Sequence, residues 1–515
     1  MATAFGSPEF ESFDCIIIGA GISGINCAFR LKSQIPNASY VILEARSDIG
    51  GTWDQWKYPG ARCDSEISTI AFSWHDFAFP SPIVSGTMIQ DYLHQASAKA
   101  KIDENIRLNH KVSDAEWSRE SQNWHILAYI DGNAKRFTSR FLVLAAGFLN
   151  YDTPPEVEIP NISQFKARVI NPQFWPQDYD WTNERIAVIG SGATAVSLIP
   201  AITEKAAHVI MIQRSPNYVA KWDNGPSWAH KYLPLSFVYT CRRLWCAIRL
   251  QLFVSYCEKY PQAVIDFLRS DAKKILPARV DYDVHFKPRY KPWDQRMCVD
   301  ADCAFFKSLS LPNVDITTGP IDTAIEQGIK MHDGKTIEAD TIVAATGFRM
   351  QIDGGIRMRV DGQAVSWNDK FVWNGTMVSG VPNMVFMLGY PNNSWTLGID
   401  ESAFVLVRLM QHMQSRGARS AVPRVPKDTT MNELRLWDLM STYRVAAELR
   451  LPVQGDKGPW RPRDAPIAGW IHSRWGEHHE WPGIHRMIPS ANTLVVSATP
   501  SITGSSLQLS TDLAR

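Results

Sequence analysis

Two glycine-rich runs of one spacing stand where this chain could grip a pyrophosphate. Gly19-Ala-Gly21-Ile-Ser-Gly24 follows the apolar run Cys15–Ile18, and Gly190-Ser-Gly192-Ala-Thr-Ala195 follows Ile186–Ile189. The first glycine of such a run permits a tight turn, and the second lets backbone approach a phosphate. The third small residue lets a helix pack on the strand, and that helix offers free N–H groups and a partial positive charge at its N-terminus. One run alone is weak evidence. Two, each between a strand and a helix, point to an enzyme that holds two dinucleotides; the competing reading is a pair of structural β–α–β units with incidental glycines.

The ends of the second strands tell the two runs apart. Ser39–Leu43 ends at Glu44, 20 residues after Gly24. A carboxylate there accepts hydrogen bonds from ribose hydroxyls, which suits an adenosine without a 2′-phosphate, such as that of FAD. His208–Ile212 ends instead at Gln213-Arg214-Ser215. No acid repels a 2′-phosphate, and the planar Arg214 guanidinium suits one. The second run therefore reads as an NADPH site.

Elements must carry these turns. The 515 residues allow two or three domains, each with its own core. The strand-like Phe141–Gly147 and Thr341–Gly347 each read as a buried strand passing a nucleotide. The expected fold is α/β: two Rossmann-like dinucleotide-binding domains of the three-layer ββα type, the NADP domain inserted into a discontinuous FAD domain. The boundaries read as 1–155 for the first FAD part and 156–345 for the NADP domain, with a helical insert at about 221–285. Residues 346–515 read as the second FAD part and a substrate-shaping C-terminal segment. That last part holds a strand-like Asn383–Leu388 and an apolar helix at Ser402–Met413.

Composition narrows the class. A net charge of +1 gives no general attraction to nucleic acid. The eight cysteines form no CxxC pair, and Met1–Phe13 is polar, which reads as a reducing, cytoplasmic setting. No run spans a membrane: Leu233–Tyr256 is interrupted by Arg242, Arg243 and Arg249. It reads as part of an amphipathic helix pair covering the active site, with peripheral membrane contact as the alternative. Glu477-His478-His479-Glu480 lacks metal-ligand spacing and reads as a polar turn, so no metal is expected. Cys298 and Cys303 have redox-pair spacing but do not follow the Gly50-Gly-Thr segment, where such a pair would be expected, and read as buried or inert thiols.

With these motifs in order, the sequence resembles the class B flavoprotein monooxygenases, the Baeyer–Villiger and flavin-containing monooxygenase group, and within it the ethionamide-activating branch. The resemblance runs from about residue 13 to about 415. It rests on both glycine runs together with Gly50-Gly-Thr-Trp53-Asp54, Tyr58-Pro-Gly-Ala-Arg-Cys-Asp64 and Gln213–Asn217. Pro292-Trp-Asp-Gln-Arg296 and Gly389-Tyr-Pro-Asn-Asn-Ser-Trp-Thr-Leu397 complete it.

The resemblance implies an NADPH-dependent flavin monooxygenase with FAD, NADPH, O2 and a small organic substrate. NADPH reduces FAD, O2 gives a C4a-peroxyflavin, and one oxygen atom enters an apolar ketone or aldehyde to give an ester or lactone. N- or S-oxygenation of a soft nucleophile is the alternative, and an NADPH oxidase or disulfide reductase a third. Arg296 matches the active-site arginine, which stabilises developing negative charge. Asp64 matches its acidic partner. Ser23, Glu44, Thr52, Trp53, Asp54, Gln55, Asp64 and Val112 match FAD contacts. Arg62, Cys63, Asp64, Gly190, Ser191, Gly192, Ala193, Thr194, Ala195, Val196, Arg214 and Ser215 match NADP contacts. Taken without the resemblance, Arg296 reads as a surface ion pair with Asp294, and Trp53 reads equally well as core.

The chain departs from the family fingerprint at Ala167, where glycine is usual, and at Asn171, where histidine is usual. Phe165, Trp175 and Pro176 keep it. Asn keeps one hydrogen bond but carries no proton, and Ala tolerates positive φ poorly. The linker between domains is therefore expected to couple differently. Trp460 and Trp470, in the divergent C-terminal stretch, are expected to shape substrate entry.

Overall fold

The strand Glu11–Ile18 organises the first unit in the computed structural model, which describes residues 10–77, 81–155, 158–225, 232–426, 428–476 and 493–497. Its last four residues are all buried, as in a parallel strand covered on both faces. Cys15 and Ile17 enter one apolar layer, Ile16 and Ile18 the other. The strand pairs in parallel with Tyr40–Leu43 and with the second half of Asn133–Leu144, to which Met384–Phe386 adds in parallel. The first half of Asn133–Leu144 runs antiparallel to Asn123–Ile130, which pairs with Lys111–Ser118; Arg357–Val360 lies beside the latter. One sheet is thus assembled from residues before 145 and after 356.

A second sheet holds five parallel strands in the order Val314–Thr318, His208–Gln213, Arg185–Ile189, Thr341–Ala344 and Arg168–Ile170. The helix Ala193–Ile202 shares one apolar core with it. The antiparallel meander Ile321–Ile325, Gly328–Met331, Thr336–Glu338 shares the other. This is the ββα unit, inserted into the first, and the α/β architecture of two Rossmann-like units matches the sequence reading.

Two elements differ from that reading. The helix expected at Ser402–Met413 begins at Trp395 and ends at Ser415. Its first turn contains Gly398, a poor helix former, but packing decides: a Cβ there would stand 2.9 Å from the Cα of Gly389. The helical insert is present as Leu235–Lys259 and Pro261–Lys273, but neither helix lines the cleft described below. Leu235–Lys259 lies behind it, and its Ala247 carbonyl accepts Asn393 Nδ2 at 3.3 Å. Its arginines face inward: Arg249 pairs with Glu66 at 2.5 Å and Arg242 with the same carboxylate at 3.6 Å. Phe237, Leu244, Trp245, Leu252 and Tyr256 face outward. Among the described residues, no helix is long and apolar enough to cross a membrane.

Candidate active site

The first glycine run turns as its spacing requires. Gly19 has φ +104°, and a Cβ on it would lie 2.7 Å from the Ala145 carbonyl at the end of Asn133–Leu144. A Cβ on Gly24 would lie 1.9 Å from the Gly19 carbonyl, so the helix Ile22–Gln34 sits directly on the turn. Gly21 caps that helix with no side-chain hydrogen bond, leaving the N–H groups of its first turn for a ligand. Glu44 Oε2 accepts the Ala20 N–H at 2.7 Å and Oε1 the Arg46 N–H at 2.9 Å. Burial raises the Glu44 pKa against those two bonds.

A cleft of about 510 Å³ opens from this turn. Gly19, Gly21, Ser23, Glu44, Thr52, Trp53 and Val112 line it, together with Arg296 and with Cys63, which the sequence reading had placed among the NADP contacts. Gly24, Asp54, Gln55, Arg62 and Asp64 do not. Gly24 is behind the turn. Asp54 pairs with Arg46 at 2.6 Å and Lys57 at 2.9 Å, and Gln55 donates to the Gln173 carbonyl at 2.6 Å. Both side chains brace the cleft floor.

The sequence reading assigned no role to the aromatic wall. Phe148 lies 4.8 Å from Trp395 and 5.7 Å from Phe348, which lies 4.2 Å from Tyr443; Trp437 closes the group at 6.0 Å from Trp395. All five line the cleft. Trp395 was legible inside the Gly389–Leu397 motif; the other four carry no local signal. Trp460 is buried and Trp470 half-exposed, and neither reaches the cleft. The C-terminal part contributes Trp437, Leu439, Tyr443 and Arg444 instead.

Arg296 is open to the cleft. Its Nη2 donates to the carbonyls of Pro391 at 2.5 Å, Tyr390 at 3.2 Å and Asn393 at 3.4 Å. Burial lowers its pKa against the pull of Tyr443, Cys63 and Asp64. The sequence alternative fails: Asp294 instead accepts the Lys291 N–H at 3.0 Å. Nor does Asp64 grip Arg296. Asp64 lies 3.7 Å from Arg62 Nε and accepts the Val299 N–H at 3.3 Å. Burial pushes its carboxyl up to about 6, against Arg62 and Val299. Cys63, between them in sequence, is pushed up to about 12 by burial and is a thiol, not a thiolate.

The second glycine run repeats the geometry. Gly190 has φ +140°, and a Cβ on it would stand 2.1 Å from the Ala345 carbonyl. Gly192 begins the helix Ala193–Ile202 without a side-chain cap, and a Cβ there would meet nothing within 4 Å. Thr194 and Val196 lie in its first turn, and Ala195 is fully buried against the strand side. Arg214 and Ser215 are exposed, and Arg214 makes no ion pair among the described residues. The Ser215 carbonyl accepts Ser191 Oγ at 3.2 Å. Gln213 is buried and donates to His285 O and Thr318 Oγ1, each at 2.8 Å. Both turns exclude a Cβ and both helix N-termini lack a side-chain cap, so the residues fit two dinucleotides.

The Tyr58–Asp64 motif joins the units. Gly60 has φ +81°, a Cβ on it would stand 2.2 Å from the Ser197 carbonyl, and Tyr58 Oη lies 2.9 Å from Ser197 Oγ. The motif thus packs on the helix of the second glycine run while Cys63 lines the cleft of the first. At the degenerate fingerprint, Ala167 has no positive φ, so the missing glycine leaves no strain. Asn171 Oδ1 accepts the Gln173 N–H at 2.9 Å, and Gln173 Nε2 donates to the Asn150 carbonyl at 2.6 Å. All eight cysteines are free, Cys298 and Cys303 included. Among the described residues no group of His, Cys, Asp and Glu is arranged to hold a metal, and Glu477–Glu480 lies outside the described residues.

This geometry defines a two-dinucleotide oxidoreductase. Residues 16–230 match the family described as pyridine nucleotide-disulphide oxidoreductase. FAD-containing monooxygenase EthA of Mycolicibacterium smegmatis is 39% identical over 456 residues, covering 88% of this chain and 92% of the relative. Probable FAD-binding monooxygenase AlmA of Acinetobacter baylyi is 36% identical over 457 residues, 88% of this chain and 91% of the relative. Among solved structures, OTEMO in complex with FAD and NADP shares the fold at 21% identity and a TM-score of 0.67, covering 80% of this chain and 88% of that one. The chain belongs to the FAD-containing monooxygenase family. It is a flavoprotein oxidoreductase, and FAD and NADP are the cofactors of its class.

Proposed function

We propose that this chain is an NADPH-dependent Baeyer–Villiger monooxygenase (EC 1.14.13) acting on an apolar ketone or aldehyde. One observation carries the reading: neutral carbonyls, not a carboxylate, hold Arg296 at the cleft, so its full charge remains available to an anion. When bound, FAD would supply the acceptor for hydride from NADPH and the site of O2 activation. Gly19, Gly21, Ser23, Glu44, Thr52, Trp53 and Val112 would hold it. Gly190–Val196 with Arg62, Cys63, Arg214 and Ser215 would hold NADPH. Per turnover one oxygen atom of O2 enters a bond beside the carbonyl, the other leaves as water, and NADPH provides the electron pair.

Arg296 stabilises negative charge as it grows on the substrate oxygen, in a cleft from which Phe148, Phe348, Trp395, Trp437 and Tyr443 exclude water. Asp64 acts on Arg62 rather than on Arg296. The domain boundaries at about 155 and 345 are retained. Free thiols support a cytoplasmic setting. The outward Phe237–Tyr256 stripe supports peripheral membrane contact, which vesicle co-sedimentation tests: protein left in the supernatant removes it.

The decisive experiment offers NADPH, isotopically labelled O2 and a panel of apolar ketones and thioethers. Ester carrying one labelled oxygen is expected. Sulfoxide without ester overturns the carbonyl reading; peroxide equal to the NADPH consumed overturns oxygenation altogether.

A further inference from the structure

The segment that holds Arg296 is itself anchored by a buried polar cluster. Tyr390 is fully buried, and its hydroxyl donates to the Glu401 carboxylate, 2.8 Å from each oxygen. Glu401 is buried in the helix Trp395–Ser415. Arg463 Nε lies 3.6 Å from it, and the same guanidinium donates to the Gly398 and Asn374 carbonyls at 2.8 and 2.7 Å. The C-terminal helix Pro466–Trp475 then closes on the pair. A Cβ on Gly469 would stand 2.5 Å from both Glu401 Oε2 and Tyr390 Oη.

We propose that Glu401 is a positioning residue for Arg296: through the Tyr390 hydroxyl it fixes the Tyr390–Asn393 carbonyls that orient the guanidinium, and it ties the C-terminal helix to that arginine. The proposal rests on the oxygenase reading above. The charged and titratable groups facing Glu401 are Arg463, Tyr390, Arg474 of the C-terminal helix and the neighbouring Asp400. Burial outweighs Arg463, Tyr390 and Arg474 and pushes the Glu401 carboxyl up to about 7. Asp400 differs, because Arg30 and Arg474 outweigh its burial and lower it. As a carboxylate, Glu401 accepts the Tyr390 hydroxyl and attracts Arg463. As an acid it loses that attraction and can donate to the same hydroxyl, so the anchor of Arg296 changes across neutral pH.

The test uses the FAD-loaded full chain, wild type, Glu401→Gln and Tyr390→Phe. Infrared difference spectra should show a carboxylic acid band titrating near pH 7 in the wild type and missing from Glu401→Gln; this readout needs no turnover. The ratio of oxygenated product to NADPH consumed should change across that pH in the wild type. In Glu401→Gln it should lose that break, and in Tyr390→Phe it should fall about ten- to hundredfold, the cost of misplacing a reacting group. No titrating band, an unchanged profile in both variants, or an equal fall in flavin reduction by NADPH overturns the proposal. If the wild type yields no oxygenated product, the oxygenase reading fails instead, and the infrared result still stands.

Discussion

Glu44 holds the main-chain N–H of Ala20 at 2.7 Å, so the acid that ends the second strand also clamps the first glycine turn. Each carboxylate oxygen accepts one backbone N–H and keeps a lone pair toward the cleft. Glu44→Ala should therefore remove a ribose partner and leave the Ala20 and Arg46 N–H groups unpaired. A lost buried hydrogen bond of this kind costs about 1–3 kcal/mol, or about five- to 150-fold in affinity. Flavin content of the purified variant and its FAD dissociation constant measure this. Wild-type flavin retention would show that Glu44 serves the turn alone.

Arg296 separates reduction from oxygenation. Its partners are carbonyls, so removing it strands no buried carboxylate and the fold should survive. Arg296→Ala should still let NADPH bleach the flavin. Ester formation should fall by about 10²–10³, the cost of deleting one preorganised group at a developing anion. Arg296→Lys should recover little, since an ammonium that takes the place of Nη2 among those carbonyls leaves no second nitrogen to face the anion. Stopped-flow reduction and product analysis on the same sample check both halves.

Arg214 tests the choice of nicotinamide cofactor. It is exposed at the end of His208–Gln213 and makes no ion pair among the described residues. Arg214→Gln should raise the KM for NADPH by about ten- to hundredfold, the worth of a charge-assisted bond to phosphate, and leave that for NADH near its starting value. Equal losses for both cofactors would place the 2′-phosphate elsewhere.

Most of the site was legible because glycine turns are local. Gly19 and Gly190 each sit against a strand end, Ala145 and Ala345, and only a residue without Cβ fits there, so the chemistry of the ligand is written in a few adjacent letters. The aromatic wall was not legible. Phe148, Phe348, Trp437 and Tyr443 come from segments nearly 300 residues apart and meet only because the second unit is inserted into the first. The contacts of Asp64 were not legible either: the resemblance sets it beside Arg296, whereas in the fold, with Tyr58–Asp64 packed on the helix of the second unit, it lies beside Arg62.

Asp64 gives the fold a dependence on pH. Its carboxyl lies near 6 in the folded protein, raised by burial above its ordinary 3.8. The folded state therefore holds a proton that the unfolded chain has already released between those values. The contribution is complete below about pH 4, is lost as pH rises toward 6, and is constant above. Asp64→Asn, which cannot ionise, should flatten this part of the curve. Denaturant midpoints of the wild type and variant at several pH values between 4 and 7 measure it, and parallel curves would rule out Asp64 as the source.

Asn171 stands where the family fingerprint would place a histidine. Its side chain caps the short turn Pro172–Phe174 by accepting the Gln173 N–H, and Gln173 in turn ties the linker to Asn150 and to Gln55 under the cleft. The role requires one acceptor and no proton. Asn171→Asp should therefore keep the cap, while Asn171→Ala should lose about 1 kcal/mol, the usual worth of such a cap. Because Gln55 braces the cleft floor beside Arg46 and Asp54, the alanine variant should also release FAD more readily. Asn171→His, which restores the usual letter, should not raise the yield of oxygenated product per NADPH. A gain in that yield would show that the histidine of relatives supplies something the cap does not.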